Sequence, residues 1–208
     1  MTNSESTPDA ANDRRHQILD AALHVFSTKG FHKATNKDIA QAAGGISPGL
    51  IYWYFKDKQD LLLSIMQEKA TILQFSAHPE RLMPLPPRAG LTLLAQTYLS
   101  IFDQPGNIAF FRILLGEVIR FPQIGELFYK VAASKFFGLL DRYLAQHVAL
   151  GVLRPHDTAT AARAFLGMLV AQVVAREAFH QPEALATSNE QIITTIVDIF
   201  LGGLESPR

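Results

Sequence analysis

Residues 35–58 read TNKDIAQAAGGISPGLIYWYFKDK, and this stretch parses into two short helices joined by a tight turn. Thr35 with Asp38 three residues on has the form of a capping box, in which a hydroxyl and a carboxylate satisfy the orphan N–H groups of a helix start. A helix is therefore predicted to begin at Asn36. Ile39, Ala40 and Ala43 recur at helical spacing, and Gly44-Gly45 supplies the permissive backbone that stops the helix and turns the chain. Ser47 followed by Pro48 is a second start signal, because proline at the first helical position loses an N–H that has no partner there anyway. The second helix is predicted from Pro48 to about Phe55.

At about 100° per residue, Ile51, Tyr54 and Phe55 fall on one face of that helix, while Gly49 and Trp53 point the other way, flanked by Leu50 and Tyr52. The first face suits packing. The second carries aromatic rings toward solvent, which is costly unless something covers them. One reading folds both rings back onto a neighbouring helix. The other places the helix in a DNA major groove, because two helices joined by a short Gly-containing turn are the helix-turn-helix geometry, in which the second helix reads base edges.

At these residues the sequence resembles the TetR (tetracycline-repressor) family of transcriptional regulators. An amphipathic helix ending in KGF is followed by T-x-x-x-IA-x-AAG, SPGLIYWYF and K-x-K-x-x-L, in order from Arg15 to Leu62. Gly44-Gly45-Ile46-Ser47 has one residue more than the family's usual turn. The resemblance implies an all-α protein: an N-terminal three-helix DNA-binding domain, then a larger helical domain with a small-molecule pocket, dimerising through its last two long helices. It also implies a phosphate contact for Tyr52. The residues themselves suggest that Lys37, Lys58 and the helix starts at Thr35 and Ser47 hold phosphates, while Pro48, Gly49 and Trp53 face the bases.

The rest of the chain is consistent with that frame. In 208 residues there is room for two domains with proper cores, and the absence of cysteine excludes disulfides, zinc fingers and thiol catalysis. The expected division is a disordered tail over 1–11, the DNA-binding domain over 12–58, and a ligand-binding and dimerisation domain over 59–208. The tail lacks the positive and apolar segments of a signal peptide, so a cytoplasmic location is expected. Net charge is zero overall, but residues 12–58 carry seven Lys or Arg against four Asp, so the basic excess lies where the helix-turn-helix is.

Ile18, Ala21, Ala22, Val25 and Phe26 give the first helix, from Asn12 to Lys29, an apolar stripe. A helix from Asp57 to about Phe75 is expected to leave the DNA-binding unit, with a proline-rich break over residues 78–90. Further helices are predicted over about 91–102, 108–120, 124–150, 158–179 and 189–204, and no alternating strand pattern appears.

Much of the phenylalanine, 14 residues in all, lies between 75 and 137. For any single ring, core packing is the default. Taken together, Phe75, Tyr98, Phe102, Phe111 and Phe137 are candidates to line an apolar cavity, with Arg112, Glu117, Arg120 or Gln172 as polar markers; the pocket itself is implied by the resemblance. The expected effector is small and mostly apolar, and by wedging among these rings it would tilt the helix that starts at Asp57.

Ala164 to Ala175, AFLGMLVAQVVA, is apolar on all sides but Gln172 and too short to span a bilayer, so protein must cover it. With the apolar residues of the last helix, it is expected to meet its copy across a two-fold axis, giving a homodimer with no membrane partner.

Rival readings are weaker. His16, Asp20 and His24 share a helix face at metal-ligand spacing, but a third strong ligand and a dry pocket are missing, and a solvated face is preferred. Glu177 and His180 have the E-x-x-H spacing of a di-iron bundle, which needs two such motifs and further Glu residues. No strand-turn-helix nucleophile elbow exists for a hydrolase. No enzyme activity, cofactor or metal is expected. A helical interaction module that uses the Tyr52 and Trp53 face on a protein partner is the alternative to DNA binding.

Overall fold

The computed structural model describes residues 8–69, 78–119 and 121–204, and every element among them is helical. In chain order these are α1 (Pro8–Lys29), α2 (Asn36–Ala42), α3 (Pro48–Tyr54), α4 (Lys58–Lys69), α5 (Pro87–Ser100), α6 (Pro105–Val118), α7 (Pro122–Phe128), α8 (Ser134–Ala149), α9 (Thr158–Glu177), α10 (Pro182–Ala186) and α11 (Asn189–Leu204). Short 3₁₀ turns occupy Pro79–Arg81 and Ile101–Asp103, and a π-helical turn, Tyr129–Ala133, precedes α8. The all-α class read from the sequence is the class observed.

The chain divides into two compact units, one of Met1–Lys69 with Ala109–Phe128, the other of Ala70–Ile108 with Tyr129–Arg208. In the first, Ile18, Leu19, Ala22 and Phe26 of α1 meet Ile39 and Ala40 of α2, Ile51 of α3 and Leu61, Leu62, Ile65 and Met66 of α4. Phe110, Ile113 and Leu114 of α6 and Ile124 of α7 complete that core. Each large aliphatic side chain buried this fully contributes about 1.5–3 kcal/mol relative to exposure.

In the second unit α8 packs on α9, and α11 on α5. Its anchor is Tyr143, whose ring is fully buried and whose hydroxyl is 2.9 Å from the Leu85 carbonyl and 3.0 Å from that of Pro86. Gln146 donates to Met83 O at 3.0 Å and His147 Nε2 lies 3.1 Å from Leu85 O, so one face of α8 ties down the loop before α5. Gly90 has to be glycine here, since a Cβ would stand 2.1 Å from the Tyr143 hydroxyl. Arg176 at the end of α9 donates to Ala184 O at 2.8 Å, to Asn189 Oδ1 and to Thr187 O, closing the turn that contains α10.

Several elements differ from their sequence expectation. α1 begins at Pro8, inside the stretch expected to be a disordered tail; proline is tolerated in a first turn, and Asp9, Ala10 and Ala11 behind it suit a helix start. α4 follows its expected start, with Asp57 accepting from Asp60 N–H and Asp60 accepting from Lys56 N–H. The expected continuation to Phe75, Phe75 included, lies outside the described residues, as does Arg120. The single helix expected over 124–150 is broken into α7, the π turn and α8. In α9, Phe165, Leu169 and Val173 are buried whereas Ala164, Gly167 and Ala171 are exposed, so within one chain only one side of this apolar helix is covered. By length and composition α9 could cross a membrane, yet its buried side packs on α8 and α11.

Candidate nucleic-acid interface

The reading unit is built from its caps outward. Thr35 Oγ1 accepts from Asp38 N–H at 3.1 Å while Asp38 Oδ2 accepts from Thr35 N–H at 3.0 Å, so the capping box is formed. Lys29 Nζ adds a 2.6 Å bond to the same carboxylate. These donors, Lys29 first and Thr35 next, hold the Asp38 carboxyl down to about 2. α2 thus starts on a fixed anion whose partner closes α1.

The turn to α3 uses both glycines. Gly44 and Gly45 adopt φ +85° and +75°, where other residues are strained, and Gly45 N–H returns to Ala40 O at 3.0 Å. The residue added to the family's usual turn is therefore absorbed by a second left-handed glycine. Gln17 of α1 donates to Ala43 O at 3.0 Å, satisfying a carbonyl at the end of α2. α3 then starts at Pro48, capped by Ser47 Oγ, which accepts from Leu50 N–H at 3.2 Å.

α3 presents its faces as the helical phase predicts. Ile51 and the following Phe55 are 1% and 2% exposed, while Tyr52 and Trp53 are 61% and 72% exposed. The rings do not fold back on the core. Trp53 meets only the edge of Tyr54 among the described ring contacts, at 4.8 Å. Thr35, Lys37, Ser47, Pro48 and Gly49 are exposed as well.

Lys58 is placed differently from the other candidates. Its ammonium donates to His32 O at 3.1 Å and Ala34 O at 3.0 Å and sits 4.8 Å from the Phe31 ring centroid, half-buried. Desolvation lowers its proton affinity, and Glu117 opposes that effect. Two of its three N–H groups are used inside the unit. Glu117, read from the sequence as a marker of an apolar cavity, instead accepts from Phe31 N–H at 3.1 Å. Its position three residues after Leu114, on the apolar face that Phe110 and Ile113 begin, is the sequence signal for that burial.

The cavity candidates are spread over both units. Tyr98 and Phe102 form an edge-to-face pair at 5.6 Å, and burial pushes the Tyr98 phenol well above its ordinary range. Phe137 is half-buried beside Phe136, at 6.1 Å, and Gln172 is half-buried on α9. Phe111 and Arg112 belong to the first unit. Among the described residues no group of three metal-ligating side chains occurs; His16 contacts Asn12 O and lies 3.8 Å from Glu68. Glu177 ends α9 and His180 follows at φ +50°, off the helix that an E-x-x-H site requires.

A pair of capped helices joined by a short glycine turn, the second presenting an exposed face, is the helix-turn-helix arrangement of DNA-binding proteins. Residues 18–65 match the family described as bacterial regulatory proteins, tetR family, and residues 89–203, over half of the chain, match the AefR-like transcriptional repressor C-terminal domain. The chain belongs to the TetR family of transcriptional regulators.

It is 42% identical over 64 residues to the HTH-type transcriptional regulator AcrR of Shigella flexneri, a match covering 31% of this chain and 29% of that one. The curated relatives it matches are aligned over only part of their own length, from 24% for HbdR of Aromatoleum sp. to 57% for TtgW of Pseudomonas putida. Among solved structures, the flavonoid-responsive regulator FrrA is 26% identical with a TM-score of 0.65, over 95% of this chain and 100% of that one. FadR of Bacillus subtilis, solved with stearoyl-CoA, is 22% identical with a TM-score of 0.70, over 90% and 98%, and supports the fold. These relatives are transcriptional regulators rather than enzymes.

Proposed function

We propose that this protein is a repressor that binds a palindromic operator as a homodimer and is released by a small, mostly apolar effector. The observation that carries the reading is α3, a helix with Tyr52 and Trp53 held out to solvent on a capped, glycine-turned scaffold. In this reading Pro48, Gly49 and Trp53 face base edges. Lys37, Tyr52 and the helix starts at Thr35 and Ser47 hold phosphates, and Lys58 adds a phosphate contact only through its third N–H. Proline and glycine at the start of α3 offer few base-edge donors, so groove shape and apolar contact to thymine methyls carry much of the discrimination. A cytoplasmic location goes with this reading.

Homodimerisation is supported by the side of α9 left uncovered in one chain, together with Phe179 and Ile199, both more than 60% exposed. The last two long helices, α9 and α11, form the interface. Half-sites are then spaced by one helical turn or a multiple of it, roughly 34–36 Å per turn.

For the effector, Tyr98, Phe102, Phe137 and Gln172 of the second unit are the residues of choice. Rings predominate and charges are few, which suits an apolar molecule with one or two polar groups. A regulator of this fold named as flavonoid-responsive fits that class.

The test is enrichment of duplex from a random pool, with sedimentation to give the oligomer. A palindromic consensus bound by a dimer is expected; no enrichment at low salt, or a monomer at micromolar concentration, refutes the reading. A flavonoid and stearoyl-CoA serve as probes in a thermal-shift assay, where a ligand of the folded state raises its apparent stability. A probe that stabilises the protein and leaves operator affinity unchanged breaks the proposed control.

A further inference from the structure

We propose that Glu117 of α6 is a positioning residue for DNA binding, fixing the corner between α1 and α2 and the Lys58 ammonium against it. The inference rests on the DNA-reading function proposed above. At this corner the chain leaves α1 through Gly30 at φ +79°, which points Phe31 N–H into the core side of the unit. That N–H needs an acceptor, and Glu117 Oε1 supplies it at 3.1 Å from 86 positions away. The approach is close, since a Cβ on Gly30 would stand 3.2 Å from the same oxygen.

A carboxylate only 9% exposed requires opposite charge nearby. Lys58 provides one cation, tied to the carbonyls of His32 and Ala34. Glu117 Oε2 is buried with no hydrogen-bond partner and lies 3.9 Å from His32 Nε2, an ion-pair distance too long for a hydrogen bond. The His32 ring in turn stacks on Phe121 at 3.3 Å. Phe31, His32, Lys58 and Glu117 therefore form one cluster, and its members come from the α1–α2 corner, the start of α4 and the end of α6. The corner leads directly into Thr35, the cap of α2. Without Glu117, Phe31 N–H loses its acceptor, the corner that holds the Lys58 ammonium through the His32 and Ala34 carbonyls loses its tie to α6, and α2 loses its fixed start relative to α4.

The test compares wild type, Glu117→Gln, Lys58→Met and the double variant, using the duplex enriched by wild type. Glu117→Gln keeps side-chain volume and an acceptor for Phe31 N–H, so circular dichroism is expected to show it folded; if it is not, Glu117→Asp, which keeps the charge, is read in its place and is expected to bind within about threefold of wild type, a tenfold loss overturning the assignment. Loss of the charge is expected to weaken duplex binding about tenfold, inside the ordinary range of coupling between sites. It also lowers the Lys58 titration midpoint followed by NMR of the labelled side chain. The double variant is expected to bind as Lys58→Met does, because the two act as one unit. Affinity within about twofold of wild type, an unmoved Lys58 midpoint, or additive effects in the cycle each overturn the assignment. Wild type that enriches no duplex removes the DNA reading and this inference with it; wild type that enriches one which Glu117→Gln binds equally removes this inference alone.

Discussion

Trp53→Ala separates a ring that packs from a ring that reads DNA. Trp53 is 72% exposed and its recorded ring contact is the edge of Tyr54 at 4.8 Å and 82°. Such a pair is worth about 0.5–1.5 kcal/mol, and the low end applies where one ring is solvated, so unfolding free energy should fall by about 1 kcal/mol at most. A base contact or stack of that ring is worth about 1–3 kcal/mol. The proposed dimer carries the substitution twice, so operator affinity should fall by about 2–6 kcal/mol, roughly 30-fold to beyond 10⁴-fold. The chain has one tryptophan, which makes the same residue its own reporter. Its emission should be that of a solvated indole in the free protein and should shift or quench as duplex is added, with the melt and the titration run on one sample. A blue-shifted emission before any DNA is added, or a stability loss well above 1 kcal/mol with DNA affinity unchanged, would show a ring that packs and does not read DNA.

Gly90→Ala gains helix propensity, about 1 kcal/mol, but sets a Cβ 2.1 Å from the Tyr143 hydroxyl and 2.4 Å from its Cζ. Displacing a fully buried ring costs more, so urea unfolding should show a net loss of about 2 kcal/mol; a stabilised variant would mean the ring yields freely. Arg176→Ala removes the donors to Ala184 O, Asn189 Oδ1 and Thr187 O, and hydrogen exchange should accelerate at residues 182–189 while the α5 amides stay protected. Asp38 has a folded pKa near 2, below its unfolded value, so its contribution is complete above about pH 4 and disappears as pH falls through about 2. Asp38→Asn should flatten the acid limb of the unfolding curve in that window, and an unchanged limb would show that other carboxylates control it.

What could be read from the sequence was what is decided locally. The capping hydroxyls of Thr35 and Ser47, the stop at Gly44-Gly45 and the outward phase of Tyr52 and Trp53 depend on residues within a turn or two of each other, and periodicity states them directly. The break of the 124–150 segment was not legible. A π turn amounts to one inserted residue in a helix, and YKVAA carries no proline or glycine to announce it. The short helix α10 was hidden for a different reason, because its five residues are held by Arg176 from α9 rather than by any periodicity of their own.

Lys58 shows where local reading stops in the site itself. Its position in K-x-K-x-x-L, at the start of α4, identifies it as a cation beside the reading helices, and that is all the motif contains. Whether the ammonium faces phosphate or the protein is decided by two carbonyls 24 and 26 positions back and by a carboxylate on α6. The carboxylate could have been flagged, since Glu117 continues an apolar face where Leu or Ile would be ordinary, but its partner could not. A buried carboxylate in a helical stripe says that some donor or cation must come to it, and only the fold selects Phe31 N–H and Lys58. The same long-range choice engages two of the three Lys58 N–H groups inside the unit, so a residue that looks like an independent phosphate ligand in the motif belongs in the folded chain to the corner that leads into α2.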